Sequence, residues 1–284
     1  SKCTRNRRGV NSAVLNPHKL FLKATFWVVF FVLSHSDILY ANVPSSEEIK
    51  SFWVVRYSMV SQEEIDHALH TASELGFNHV FLQVRGRGDA YYSSQIVPRG
   101  RFLTDPDFDP LSYAVEKGHS LGLKVHAWLN IFLLWSSPEL PKDTTHLFLV
   151  HPDWLDETRN GQQNIEPNFD NGSGGITRFI SPSAKGVTDH FISVLKEILD
   201  QYDVDGIHLD YLRLADLDYG YHSENESRFM LKYGLLPDNI NNVGNREEIE
   251  FLQFEWDQIR RESVTDFMRQ YSEVIIAQKP DCIL

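Results

Sequence analysis

The sequence predicts an α/β fold built on a parallel sheet, and three observations predict it. From Phe52 onward, short runs rich in β-branched and aromatic residues alternate with segments of helical period. The connections are long enough to carry crossover helices, which neighbouring parallel strands require. The apolar runs also end in polar side chains, as they do where parallel strands deliver residues to one rim of a sheet.

The first strand is read at Phe52-Trp53-Val54-Val55-Arg56-Tyr57. Ser61 followed by Glu63 and Glu64 opens a helix, whose face carries Ile65, Leu69, Ala72 and Leu75 before Gly76 stops it. His79–Arg85 is the second strand. Asp109-Pro110-Leu111 starts a second helix that Gly122 closes, and residues 123–130 form the third strand. A long insertion from Ile131 to about Ile180 follows, with a loose stretch at Asn168–Gly175; unstructured connections of this length are usually functional. Val187, Phe191, Val194, Leu195 and Ile198 mark another helix, which delivers the fourth strand at Asp203–Asp210. A long helix is expected from about Arg246 to Ala277. Lys279–Leu284 reads as a loop and the first residues of a fifth strand.

Two closures fit this order, an open doubly wound sheet or an eight-stranded barrel. No glycine-rich phosphate loop follows the first strand, and Gly86-x-Gly88 after the second is a weak signal. The expected fold is therefore a parallel (β/α)8 barrel of the TIM type. A complete barrel needs about 250 residues. Residues 42–284 are read as its N-terminal part, four to five β/α units. An unclosed wall exposes sheet edges, so association of the isolated chain is expected.

Alternate strand residues share a face. By that parity Gln83 pairs with Arg85, His126 with Trp128 and Asn130, and His208 with Asp210, while Arg56 closes strand one. One such residue has an ordinary explanation as a satisfied core group. Four successive strands ending in Arg, Arg, Asn and Asp point to a site. There is no cysteine cluster and no H-E-x-x-H, so no metal is expected, and no nucleophile-elbow spacing occurs. No cofactor is implied. What remains is Asp210, framed by Arg, His, Asn, Tyr and Trp. Beside Arg56, Arg85 or Arg213 it would ionise readily, which suits a nucleophile or base. Glycoside hydrolysis needs a second carboxyl to protonate the leaving oxygen. Asp89 is one candidate, although loop capping explains it better, and a carboxylate on a later strand is the stronger expectation. Trp128, Trp135 and Trp154 are candidate sugar platforms, with loop packing an equal explanation for Trp154. Asp203 and Asp205 lie at the opposite strand end and are read as structural.

The chain carries 27 basic and 39 acidic residues, a formal net charge of −12. Six of the basic residues and one acid fall within residues 1–41, so the remainder has a net charge of −17. A body that acidic repels phosphate backbones, which argues against nucleic acid as a partner. The basic start, the apolar run Thr25–Leu33 and Ala41 match a secretory signal peptide or, with Leu20-Phe21-Leu22, a signal anchor. Export is therefore expected, with the membrane touched only through such an anchor. Cys3 and Cys282 are the two cysteines; Cys282, in an apolar tail, reads as a small core residue.

Six segments occur in a telling order: Gln83-Val84-Arg85, Asp89–Ser93, Asp109-Pro110-Leu111, His126–Asn130, His151-Pro152-x-Trp154 and Tyr202–Tyr211. Together they resemble the glycosyl-hydrolase-like family of exported bacterial barrel proteins, over roughly residues 50–284. Asp205-Gly206-Ile207-His208-Leu209-Asp210-Tyr211 is the most specific piece. The resemblance implies action on glycans, and one branch of the family is linked to peptidoglycan strands stripped of their peptides. It places the catalytic role on Asp210. The substrate-binding set is then Arg56, Gln83, Arg85, Asp89, His126, Trp128, Asn130, His208, Tyr211 and Arg213. The sequence departs from the family in lacking a lipidation cysteine and in running Tyr211-Leu212-Arg213 where an aromatic and Pro are common. The expected function is an exported glycoside hydrolase acting on a cell-envelope or other polysaccharide. The alternative is a glycan-binding barrel without turnover.

Overall fold

The computed structural model describes residues 48–137, 139–163 and 176–284. The expected leader at 1–41 and the Asn168–Gly175 stretch lie outside the described residues. Four strands form one parallel sheet in the order β1 (Ser51–Val54), β2 (His79–Arg85), β3 (Lys124–Asn130), β6 (Gly206–Asp210). The crossovers carry α1 (Gln62–Glu74), α2 (Pro110–Ser120) and α4 (Val187–Gln201). The starts of α1 and α2 are capped as the sequence dictates. Ser61 Oγ accepts the Glu64 N–H at 3.2 Å, and the Asp109 carboxylate accepts the Ser112 N–H at 3.1 Å, with Pro110 at the first helical position. Gly76 and Gly122 both follow the helices with positive φ.

Parity divides the sheet into two unlike faces. Val54, Val80, Leu82, Val125, Ala127, Leu129 and Ile207 are buried, in one core with Ile65 and Leu69 of α1, Leu111 and Ala114 of α2, and Phe191 and Leu195 of α4. The opposite face carries Trp53, Phe81, His126, Trp128 and His208, whose rings touch one another. Trp53 of β1 reaches His208 of β6, with 6.2 Å between ring centroids, although β2 and β3 lie between their strands. The sheet is therefore curved, with this face on its concave side.

Three boundaries differ from expectation. β1 ends at Val54, because Val55–Ser58 close a 3-10 turn in which the Ser58 N–H bonds the Val55 carbonyl; Arg56 opens that turn instead of ending the strand. β6 starts at Gly206, since Asp203–Asp205 form the approach to it. The long insertion is not a structureless loop. It holds an antiparallel arm of β4 (Leu133–Ser137) and β5 (Ile176–Phe179), the short helix α3 (Leu147–Val150) and a 3-10 turn at Pro152–Trp154.

After β6, α5 (Ser223–Tyr233) and the first half of α6 (Arg246–Gln278) build a second small core of Phe229, Ile240, Leu252, Trp256 and Ile259. The second half of α6 returns to the main core through Phe267, Tyr271 and Ile275. Ile283 then pairs in parallel with Gly206, beside the buried Cys282. Among the described residues, no helix is long and apolar enough to cross a membrane.

Candidate active site

Strand register sets the height of each polar side chain on the concave face. Three levels follow from the β3–β6 pairing: His126 opposite Gly206, Trp128 opposite His208, and Asn130 opposite Asp210. Gln83 pairs with Trp128 from the other side. The uppermost level, at the C-terminal strand ends, is the expected rim.

At that rim Asp210 is half-buried and held by two neutral donors. Trp128 Nε1 donates to one carboxylate oxygen at 3.2 Å, and the Tyr211 N–H donates to the other at 2.7 Å. Tyr211 has φ of 52°, the one non-glycine residue with positive φ among those described. A bulky side chain in this conformation carries backbone strain of about 1–3 kcal/mol, and such strain collects at functional sites. Its ring packs on Phe179 of the β4–β5 arm at 5.9 Å, and the Arg213 guanidinium covers both rings. Below Asp210, burial lowers the pKa of His208 despite the pull of the Asp210 charge, which favours the neutral ring.

A second polar chain crosses the same rim. Arg56 Nη1 donates to Gln83 Oε1 at 3.1 Å, Gln83 Nε2 to Asn130 Oδ1 at 3.4 Å, and Asn130 Nδ2 to the Gly86 carbonyl at 2.9 Å. Arg56 lies across Gly86; a Cβ there would come within 2.6 Å of its side chain. The structure thus brings Arg56, Gln83, Trp128, Asn130, His208, Asp210 and Tyr211 to the concave face and its rim.

Arg85, His126 and Arg213 are placed differently. The β2 register shifts between Gln83 and Arg85, so Arg85 stands opposite Leu129 and leaves the concave face. It is fully buried, donates to the backbone carbonyls of Asn130 and Ile131, and lies 4.6 Å from the Phe191 ring of α4. Simple parity missed the bulge. His126 has the right parity but the wrong height. It sits at the lowest level, where Nδ1 of His79 and its own Nε2 are 2.7 Å apart, and burial lowers its pKa to about 4. Gly206 makes room for it, since a Cβ there would meet the ring at 2.1 Å. Arg213 donates to the Leu214 and Ala215 carbonyls. None of Arg56, Arg85 and Arg213 pairs with Asp210, so the expected cation beside that carboxylate is replaced by the Trp128 and Tyr211 N–H groups.

Asp89 accepts the Arg87 N–H at 2.7 Å, the loop-capping role that sequence favours for it. Trp135 and Trp154 are buried. Trp135 donates to the Glu139 carbonyl, and Trp154 stacks on His151 at 3.9 Å; both are packing residues here. Asp205 is structural, accepting from Lys124, His119 and the Val125 N–H, each at 2.8 Å. Sequence reasoning missed Asp156. It is fully buried beside the arm, where its N–H bonds the Phe179 carbonyl. Burial drives its pKa up to about 7, against the Glu157 and Gly220 N–H groups and the Ser181 hydroxyl, none of which reaches good hydrogen-bond geometry with it. Among the described residues no cluster of three His, Cys, Asp or Glu could hold a metal ion.

A curved parallel sheet with a carboxylate and a polar chain along its C-terminal rim is the arrangement of an α/β protein that builds its site at the strand ends. Residues 47–284 match the model of the family described as glycosyl hydrolase-like 10, and the chain belongs to that family. It is similar to the glycosyl hydrolase YngK of Bacillus subtilis, at 23% identity over 84% of this chain and 44% of that protein. It is also similar to the glycosyl hydrolase DigH of Escherichia coli K12, at 26% identity over 62% of this chain and 39% of that one. The chain thus spans less than half the length of these curated relatives. An S-layer-related protein of Niallia circulans shares 24% identity over 76% of this chain and 15% of its own length. Among solved structures, the GH36 alpha-galactosidase AgaA of Geobacillus stearothermophilus aligns with 83% of this chain and 27% of its own, at 19% identity and a TM-score of 0.47.

Proposed function

We propose that this chain is part of an exported glycoside hydrolase that cleaves a cell-envelope or other polysaccharide, with Asp210 as one of two catalytic carboxylates. The observation that carries this is the position of Asp210, level with Asn130 at the C-terminal strand ends, oriented by Trp128 and followed by the strained Tyr211. Membership of a glycosyl-hydrolase-like family supports the same chemistry. Asp210 takes the nucleophile or base role; a second carboxyl protonates the leaving oxygen, and the separation of the two decides between retention and inversion. The buried, mutually bonded Arg56, Gln83 and Asn130 form the floor beneath the proposed sugar site, and the partly exposed Trp128 ring offers it an apolar surface. The sheet curvature supports closure into a (β/α)8 barrel, and the basic, then apolar, N-terminus supports export. Incubation with peptide-free glycan strands should release new reducing ends.

A second reading, a glycan-binding barrel without turnover, is favoured by one fact. Among the described residues, no second carboxylate is hydrogen-bonded to the groups around Asp210. That reading predicts oligosaccharide binding that needs Trp128, with no reducing ends released.

A further inference from the structure

Tyr211 holds a backbone angle that its side chain disfavours, so contacts from outside the residue must keep it there. Its φ sets how the peptide plane before Cα is turned against the side chain and carbonyl after it. That first plane carries the Asp210 carbonyl and the Tyr211 N–H, and the N–H donates to Asp210 Oδ1 at 2.7 Å. Relaxation to negative φ turns the two halves of this junction against each other. The aim of the N–H at the carboxylate therefore depends on whatever holds φ.

Both halves are tied to the β4–β5 arm or to its root. Between β3 and β4, the Ile131 N–H donates to the Asp210 carbonyl at 2.8 Å and the Phe132 N–H donates to the Tyr211 carbonyl at 3.3 Å. The Phe132 carbonyl accepts the Ile180 N–H at 2.8 Å, just past the end of β5, and Leu133 pairs with Phe179. The Tyr211 ring meets the Phe179 ring edge to face, with 5.9 Å between centroids and 67° between planes. Phe179 is 2% exposed, and its carbonyl accepts the Asp156 N–H at 2.9 Å, so its ring cannot swing away. The Arg213 guanidinium covers the pair, 5.3 Å from the Phe179 ring and 5.5 Å from the Tyr211 ring, with Nη1 anchored on the Leu214 and Ala215 carbonyls. Such ring pairs usually do no more than fill a core. This one holds the residue whose N–H holds Asp210.

We propose that Phe179 is a positioning residue for Asp210: by pinning the Tyr211 ring from the arm, it keeps the left-handed backbone that aims the Tyr211 N–H at the carboxylate. The inference rests on the reading of Asp210 as the reacting carboxylate and extends its support to a buried residue of the insertion. Once the ring is released, φ relaxes and the N–H turns off Oδ1. The carboxylate then turns as well, which lengthens the 3.2 Å bond that Trp128 Nε1 donates to Oδ2.

The test uses the full chain and two readouts. One is kcat and KM for reducing-end release from peptide-free glycan strands. The other is the indole 1H resonance of Trp128 by NMR, assigned with Trp128→Phe, which reports its bond to Asp210 without any need for turnover. Phe179→Leu should lower kcat at least about tenfold, hold KM within about twofold and move the indole resonance upfield. Tyr211→Ala, which removes the ring and keeps a Cβ, should move the resonance in the same way. Tyr211→Gly also removes the ring, but glycine adopts positive φ at no steric cost, so the resonance should stay at its wild-type position. In that glycine background Phe179→Leu should move it no further. Leu69→Ala, at a fully buried position of α1, should weaken the fold and leave the resonance in place. A wild-type indole position in Phe179→Leu, or equal displacement in Tyr211→Ala and Tyr211→Gly, overturns the positioning role. Absence of turnover by the wild type overturns the reading of Asp210 instead, and the indole series still decides what Phe179 does.

Discussion

Asp156 and Arg85 show how single buried charges respond to their surroundings. The Asp156 carboxyl has a pKa of about 7 in the fold against about 3.9 unfolded, so the folded chain holds its proton more tightly. Its stabilising contribution is full below pH 3.9 and is lost as pH rises through 7. His126 and His190 act in the opposite sense. Burial lowers both to about 4, so their contribution is present above pH 6.5 and is lost as pH falls through 4. These trends oppose each other in the wild type, and substitution separates them. Asp156→Asn should gain stability relative to wild type as pH rises from 4 to 7, measured by urea unfolding across that range; a constant difference would refute the assignment. Arg85 is pushed down to about 10 by burial, which leaves it charged at neutral pH. With its head on backbone carbonyls and Phe191, Arg85→Ala should cost about 3–5 kcal/mol by the same measurement. A change in glycan binding with stability intact would instead return Arg85 to the mouth.

Elements explain why some of the site was legible and some was not. Helix starts were readable because Ser61 and Asp109 each bond an N–H within their own first turn, a local interaction that spacing alone reveals. β2 and β3 were readable because their runs are long and unbroken. The β2 bulge was not, since it depends on pairing with β3 across more than 40 residues, and one shifted residue sent Arg85 to the other face. Height misled the expectation for His126 in the same way, because parity fixes a face and says nothing about level. Asp156 carries no local signal, as its burial arises from the β4–β5 arm folding over it. Asp205 is the opposite case, expected to be structural and found tying β6 to β3 and α2. Burial would raise its pKa, yet hydrogen bonds from Lys124, the Val125 N–H and His119 hold it at about 2. Its contribution is therefore present above pH 3.9 and lost as pH falls through 2. Asp205→Ala should lower stability at pH 7 by about 1–3 kcal/mol, and thermal melts at pH 7 and pH 2 should show that difference shrinking in acid. An unchanged difference at pH 2 would show that the charge is not what matters.

At the scale of the molecule, one curved sheet gives both faces their roles. Helices cover its convex side with aliphatic core, while the concave side gathers rings and, at its upper rim, Asp210. The parallel order and the family were legible in the sequence because alternating elements and strand-end motifs survive where overall identity is low. The second carboxylate that the proposed reaction requires was not legible, because a carboxylate pair is a matter of distance, and spacing along the chain does not encode it. The central claim is that Asp210 performs chemistry at this rim, with Trp128 and Tyr211 positioning it. The direct measurement compares reducing-end release from peptide-free glycan strands by wild type and Asp210→Asn, with glycan affinity measured in parallel. The account predicts that kcat falls at least about a hundredfold while affinity is retained. Turnover by Asp210→Asn at the wild-type rate would contradict it.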